Sequence, residues 1–212
     1  MQIIVVGAGL AGLSAAVALT YSKSSHTIVL LESATRLTEV GAGVQLTPVA
    51  TRQFQRWGLG PNLLAAAAVP DSWSLRRGSD GTVLNRVPMK ELGIEYGGPY
   101  IVIHRADLHR ILHEHATRRG VEVRLNSRVL KYGFEEGYVT LSNGDRLEAD
   151  LIVACDGIDS EARAQFLRYQ GVSEEAKEAT GWAAYRAMVD VEEVAADPIV
   201  TDIVGEHAGN CW

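Results

Sequence analysis

Apolar runs and glycine-rich breaks alternate in the early part of the chain. Gln2–Val6 is a short apolar run and reads as a strand. It ends at Gly7-Ala-Gly9-Leu-Ala-Gly12. Beyond that, Leu13, Ala16 and Val17 share one side at helical spacing and predict a helix over about Leu10–Tyr21. Ser22–Ser25 is a polar turn. His26–Leu31 is a second apolar run, closed by Glu32. After a loop from Ser33 to Val40 comes Gly41-Ala-Gly43-Val44-Gln-Leu-Thr47. Pro48 suits the first turn of a helix with Thr47 as its cap. That helix carries Val49, Phe54 and Trp57 and stops at Gly58. Pro61–Ala68 predicts another short helix.

The period then shortens. Ser72–Arg76 and Thr82–Val87 flank Gly78-Ser-Asp-Gly81 and predict an antiparallel hairpin. Tyr100–Arg105 reads as a strand. Ala106–Arg119 is an amphipathic helix with Leu108, Ile111, Leu112 and His115 on one side, ended by Gly120. Val121–Leu125 alternates as a strand does. Gly133–Leu147 holds a hairpin with Asn143-Gly144 as its turn. Leu151–Ala154 reads as a buried strand leading into Asp156-Gly157, and Trp182–Val191 as one more strand. The expected class is α/β. A Rossmann-like βαβ unit implies a parallel sheet, and the hairpins are antiparallel excursions that imply a second sheet or a β-ribbon.

Composition narrows the functional classes. The net charge of −6 has both signs interspersed, which argues against nucleic acid or an anionic membrane as the main partner. Cys155 and Cys211 lack CxxC or framework spacing, so a reducing, cytoplasmic setting is expected. Ile3–Leu19 has no charged residue, but three glycines and the lack of a preceding basic region argue against a membrane span or a secretory signal. His109, His113 and His115 share a predicted helix without an HExxH pattern, and no metal site is expected.

The strongest chemical signal is the order strand, glycine turn, helix, strand, acid. Gly7 permits the tight turn. Gly9 lets backbone N–H groups approach a pyrophosphate, and Gly12 lets helix and strand pack closely. The helix N-terminus adds free N–H groups and the positive end of its dipole. Glu32, 20 residues after Gly12, is placed to accept ribose hydroxyls and would repel a 2′-phosphate.

Two further motifs stand apart from this one: His104-Arg105-Ala-Asp107-Leu108, and Ala154-Cys-Asp156-Gly157-Ile-Asp-Ser160-Glu-Ala-Arg163. Together the three resemble the FAD-dependent aromatic-ring hydroxylases of the para-hydroxybenzoate hydroxylase type. Gly41–Pro48, with Arg52 and Trp57-Gly-Leu59, resembles the salicylate-hydroxylase-like branch. The resemblance spans Met1 to about Val191. It implies a FAD-binding domain from residues 1–70 and 98–170, and part of a substrate-domain sheet from 71–97 and 171–212. It implies that Gly7, Gly9, Leu10, Ala11 and Gly12 admit the FAD pyrophosphate, that Glu32 holds the adenosine ribose, and that Gly43 and Val44 pass near the flavin. Arg105 would reach the FAD, and Asp156 and Gly157 would serve its pyrophosphate region and the reducing nicotinamide. Arg186 would face the flavin–substrate space as the candidate catalytic or substrate-binding residue.

The chain has Ala154-Cys155 where the family has Gly-Ala, and the family's later Gly-Asp motif has no counterpart before Trp212. A truncated chain, whether fragment or natural, is the expectation. The implied activity is NAD(P)H- and O2-dependent hydroxylation of a small aromatic or phenolic substrate. NADH versus NADPH, the substrate itself and the oligomeric state stay open. Two alternatives stand beside it: an NAD-dependent dehydrogenase on the same fingerprint, and a non-catalytic FAD-binding remnant.

Overall fold

The computed structural model describes residues 1–37, 41–173 and 178–183, with the single positions 192, 196 and 198. These fall into two compact units, one from residues before 40 together with 109–183, the other from 41–108.

The first unit opens with strand β1 (Gln2–Val6), helix α1 (Leu10–Thr20) and strand β2 (Thr27–Leu31). The second unit holds β3 (Gly43–Leu46), α2 (Pro48–Arg56), α3 (Gly60–Ala66), β4 (Ala67–Ala68), β5 (Ser72–Arg76), β6 (Val83–Pro88), α4 (Met89–Glu95) and β7 (Ile101–His104). Helix α5 (Arg105–Arg118) begins in that unit and continues in the first. There follow β8 (Glu122–Arg124), β9 (Val129–Gly133), β10 (Tyr138–Leu141), β11 (Arg146–Glu148), β12 (Leu151–Ala154) and α6 (Glu161–Tyr169).

In the first unit a four-stranded sheet runs in the order β12-β1-β2-β8, every neighbouring pair parallel. Alternation along β1 and β2 sorts their apolar residues onto two faces. Ile4, Val6, Val29 and Leu31 pack with Val129, Tyr132, Val139 and Leu141 of the antiparallel sheet β11-β10-β9, and with Ala162 of α6. Ile3, Val5, Ile28 and Leu30 occupy the opposite face. Helix α1 lies against β1 and β2 and buries Leu13, Ala16 and Val17. Its Ala- and Leu-rich sequence favours the helix intrinsically. Both faces of the sheet are covered, so β1 and β2 read as continuous apolar runs and not as alternation.

In the second unit β3 and β4 flank β7 antiparallel, while β5 and β6 form a ribbon of their own. Thr51 is buried on α2, and its hydroxyl donates to the Pro99 carbonyl at 2.7 Å. Phe54 meets Trp57 edge to face.

Most expected elements form, with instructive differences. The Thr47 side chain makes no capping bond; its carbonyl instead accepts the N–H groups of Ala50 and Thr51. The helix expected over Pro61–Ala68 ends at Ala66, because Ala67 and Ala68 pair with β7. Arg105 is the first residue of α5 and not the last of a strand. Leu151–Ala154 is not a buried strand: it pairs only with β1 among the described residues, and Leu151 and Ala154 are exposed. His115 is half-buried; Ala116 takes the core position, and His115 bonds and stacks with Tyr21. Of the strand expected over Trp182–Val191 only Trp182 and Ala183 are described, neither in a strand; Arg186 lies outside the described residues.

The antiparallel sheet is held to the parallel one by close packing around Leu141. Leu141→Ala is expected to lower unfolding free energy by about 2–5 kcal/mol, the usual cost of a leucine-sized core cavity. A urea midpoint unchanged from the parent would show that the two sheets are not joined there.

Candidate functional site

The glycine turn is built by three backbones converging at the ends of β1 and β12 and the start of α1. Gly7 has φ +99°, and a Cβ placed on it would lie 2.4 Å from the Cys155 carbonyl oxygen. A Cβ on Gly12 would lie 1.8 Å from the Gly7 carbonyl oxygen. Both positions exclude any side chain, for the protein's own packing. Gly9 differs. Its φ is −70°, and a Cβ there would meet no protein atom within 4 Å.

Gly9 is also the N-cap of α1. No side chain caps this helix and its first turn, which contains Leu10, Ala11 and Gly12, has no acidic residue. The open space therefore borders a helix N-terminus whose N–H groups and dipole favour an anion. This is the fit expected for a pyrophosphate: glycine where the ligand would approach, and uncompensated donors behind it.

Glu32 directly follows β2, beside this turn. Its Oε2 accepts the Ala8 N–H at 2.8 Å, and its Oε1 accepts the Ala34 N–H at 2.8 Å and the Ser33 hydroxyl at 3.1 Å. Partial burial alone would raise its pKa, but the hydrogen bonds from Ala34, Ala8 and Ser33 outweigh it, and the carboxyl is held below its ordinary value of 4.5. Glu32 is thus an ionised strut of the turn. A carboxylate has about four acceptor positions, and the protein itself takes both of those on Oε1 and one on Oε2.

Asp156 and Gly157 follow β12, and the Asp156 backbone lies against Gly7. The Asp156 carboxylate organises the start of α6. It accepts the Ser160 hydroxyl at 2.6 Å and the Ala162 N–H at 3.0 Å, while Ser160 Oγ accepts the Arg163 N–H. Tyr132 also hydrogen-bonds to it, and burial together with the Asp156 charge raises the phenol well above its ordinary 10. The Cys155 thiol is raised by burial and then by Asp156, so it is a packing group and a poor nucleophile.

The second unit brings Gly43, Val44 and Arg105 together. Gly43 pairs with His104 and Val44 with Ile103. The Arg105 N–H donates to the Ala42 carbonyl, and a Cβ on Gly41 would lie 2.9 Å from Arg105 Cδ, so Gly41 makes room for the arginine stem. His104 Nδ1 accepts the Ala106 N–H and starts α5. Two contributors escaped the sequence reading, Gly41 and His109. His109 is buried on α5 and its Nε2 lies 2.7 Å from the Ala8 carbonyl oxygen. The available signal was its spacing: His109, Leu112 and Ala116 fall on one helical face. Among the described residues no three metal-ligating side chains come together, and no helix is long and apolar enough to cross a membrane.

The sequence matches the family described as FAD binding domain over residues 1–210. The chain belongs to the FAD binding domain family. Among the relatives of this FAD-binding chain, the FAD-dependent monooxygenase OpS4 of Beauveria bassiana (strain ARSEF 2860) is 35% identical, over 100% of this chain and 49% of OpS4. The 3-hydroxybenzoate 6-hydroxylase of Polaromonas naphthalenivorans (strain CJ2) is 34% identical, over 91% of this chain and 47% of the relative. Klebsiella pneumoniae HpxO, solved with FAD and uric acid, aligns with a TM-score of 0.67 at 25% identity, covering 82% of this chain and 43% of HpxO. The FAD-binding chain thus spans about half the length of the curated relatives it matches. The resemblance to FAD-dependent aromatic-ring hydroxylases and the mixed α/β class both hold, and FAD is the cofactor of the matched family.

The contrast between the glycines yields a paired test. Gly12→Ala is expected to destabilise the apoprotein by about 1–3 kcal/mol through overpacking. Gly9→Val is expected to leave the urea midpoint nearly unchanged while FAD affinity falls at least tenfold. Normal FAD binding by Gly9→Val would mean the cofactor does not lie over this turn.

The lowered Glu32 pKa sets a direction with pH. Its stabilisation is complete above the unfolded value, near 4.5, and is lost as pH falls through the lower folded value. Glu32→Gln is therefore expected to flatten the acid limb of the stability profile, measured as urea midpoints from neutral pH downward. An acid limb identical to the parent's would contradict the strut.

Proposed function

We propose that this chain is the FAD-binding part of a flavoprotein monooxygenase that uses NAD(P)H and O2 to hydroxylate a small aromatic or phenolic molecule. The observation that carries the reading is the open space at Gly9 over an uncapped helix N-terminus, in a chain whose relatives are named monooxygenases and hydroxylases. FAD, when bound, supplies the redox and oxygen-transfer chemistry. The protein's part is to bind and orient. The first turn of α1, through Leu10, Ala11 and Gly12, holds the pyrophosphate beside Gly7 and Gly9. Glu32 faces the adenosine ribose with Oε2, the oxygen that accepts a single bond from the protein. Gly43 and Val44 border the flavin, Arg105 supplies a fixed cation to the cofactor, and Asp156 and Gly157 shape the loop at its pyrophosphate.

Residues 1–70 and 98–170 would form the cofactor domain, and 71–97 with 171–212 part of the substrate-domain sheet. The separate β5–β6 ribbon fits that division. Arg186 is the proposed contact to an acidic or phenolate substrate. A cytoplasmic setting is the reading that two cysteines without framework spacing support.

Equilibrium dialysis against FAD and NAD tests the reading. FAD is expected to bind at least tenfold more tightly, and phenolic or hydroxybenzoate compounds to speed NAD(P)H oxidation with release of hydroxylated product. NAD binding with no detectable FAD binding would replace this reading with an NAD-dependent dehydrogenase. FAD binding without any aromatic-stimulated turnover would favour a non-catalytic flavin-binding chain.

A further inference from the structure

Ala8, between the first two glycines, has both of its backbone polar groups held by side chains from distant parts of the sequence. The Ala8 N–H donates to Glu32 Oε2 at 2.8 Å, and the Ala8 carbonyl oxygen lies 2.7 Å from His109 Nε2. Ala8 is 1% exposed and His109 is 7% exposed. A carbonyl can only accept, so Nε2 carries the proton in this bond. The N–H belongs to the Gly7–Ala8 peptide and the carbonyl to the Ala8–Gly9 peptide, so Glu32 holds the first plane and His109 the second, and a flip of either peptide breaks its bond. Buried backbone groups without partners are costly, so this pairing selects one orientation of the turn.

We propose that His109 is a positioning residue for the cofactor: it sets the Ala8–Gly9 peptide, and through it the direction in which Gly9 and the first N–H groups of α1 face the FAD pyrophosphate. The inference rests on the FAD reading above and goes beyond it by placing a determinant of flavin affinity on α5, outside the glycine turn and the ribose acid. Gly9 is both the residue after the clamped peptide and the N-cap of α1, so a reoriented Ala8 carbonyl would turn the cap with it. His113, on the next turn of α5, has its pKa lowered by burial and by proximity to His109, with Glu114 opposing.

The test uses two replacements of nearly equal length. His109→Gln keeps an N–H donor near the place of Nε2, and His109→Met fills the same space without one. Flavin affinity is read by fluorescence quenching. Amide hydrogen exchange at Ala8 and Gly9 in the apoprotein is read alongside far-UV circular dichroism. We expect His109→Met to weaken FAD binding about tenfold or more and to speed exchange at Ala8 and Gly9 relative to β1. His109→Gln is expected to stay within about threefold of the parent in both measurements. Unchanged affinity in His109→Met overturns the proposal, and so does a folded His109→Gln that binds FAD tenfold more weakly. If the parent itself binds no FAD, the flavin reading falls and the cofactor role of His109 falls with it; exchange at Ala8 and Gly9 unchanged in His109→Met would then overturn the clamp as well.

Discussion

Everything at this site depends on how closely the backbone of α1 approaches the end of β1. At Gly12 the helix comes so near the Gly7 carbonyl that a single methyl group would overlap it, and at Gly7 a methyl group would overlap the Cys155 carbonyl as well. Two strands and a helix therefore meet with no side chain between them. The steric demand is local, but its effects extend outward. It brings the N-terminus of α1 to the end of the parallel sheet, where its donors face an opening, and it lays Asp156 alongside the turn.

The surrounding side chains hold that contact in one geometry. Glu32 and His109 take the two polar groups of Ala8, and the Asp156 carboxylate fastens the following loop to α6 and to Tyr132. Tyr132 is also part of the core under the sheet, so the loop is tied to the packing that joins the parallel and antiparallel layers. These acids share a trait: each spends most of its acceptors on the protein. Their contribution to a ligand comes as much from fixing backbone as from touching it, which fits a fold whose hard chemistry belongs to a cofactor.

Much of this was legible in the residues because the relevant signals are short-range. The glycine spacing, the apolar runs of β1 and β2, and the Asn143-Gly144 turn all act within a few positions, and each formed where it was read. What stayed hidden depended on neighbours distant in sequence. Leu151–Ala154 has the composition of a central strand, yet it borders the sheet among the described residues. Ala67 and Ala68 continue a helical run, yet β7 claims them. His109 looked like one of three helical histidines, and only the path of β1 puts the Ala8 carbonyl in front of it. Thr47 shows the smallest such failure: a good capping residue left its side chain unused because the backbone carbonyl sufficed.

The order of strands in the parallel sheet carries a consequence for how the chain reaches this state. β1 lies between β2, reached through a single helix, and β12, whose first bonds to β1 join residues 148 positions apart. The βαβ unit can assemble early from nearby segments. The far side of β1, and with it the Cys155 carbonyl that closes the glycine turn, arrives only after the whole intervening chain has been made and threaded into place. Contacts of such long sequence separation are slow to form. During that interval one edge of an apolar strand stays open to other chains, the condition in which folding intermediates associate. The strand that carries the turn is thus paired early on one side and enclosed late on the other.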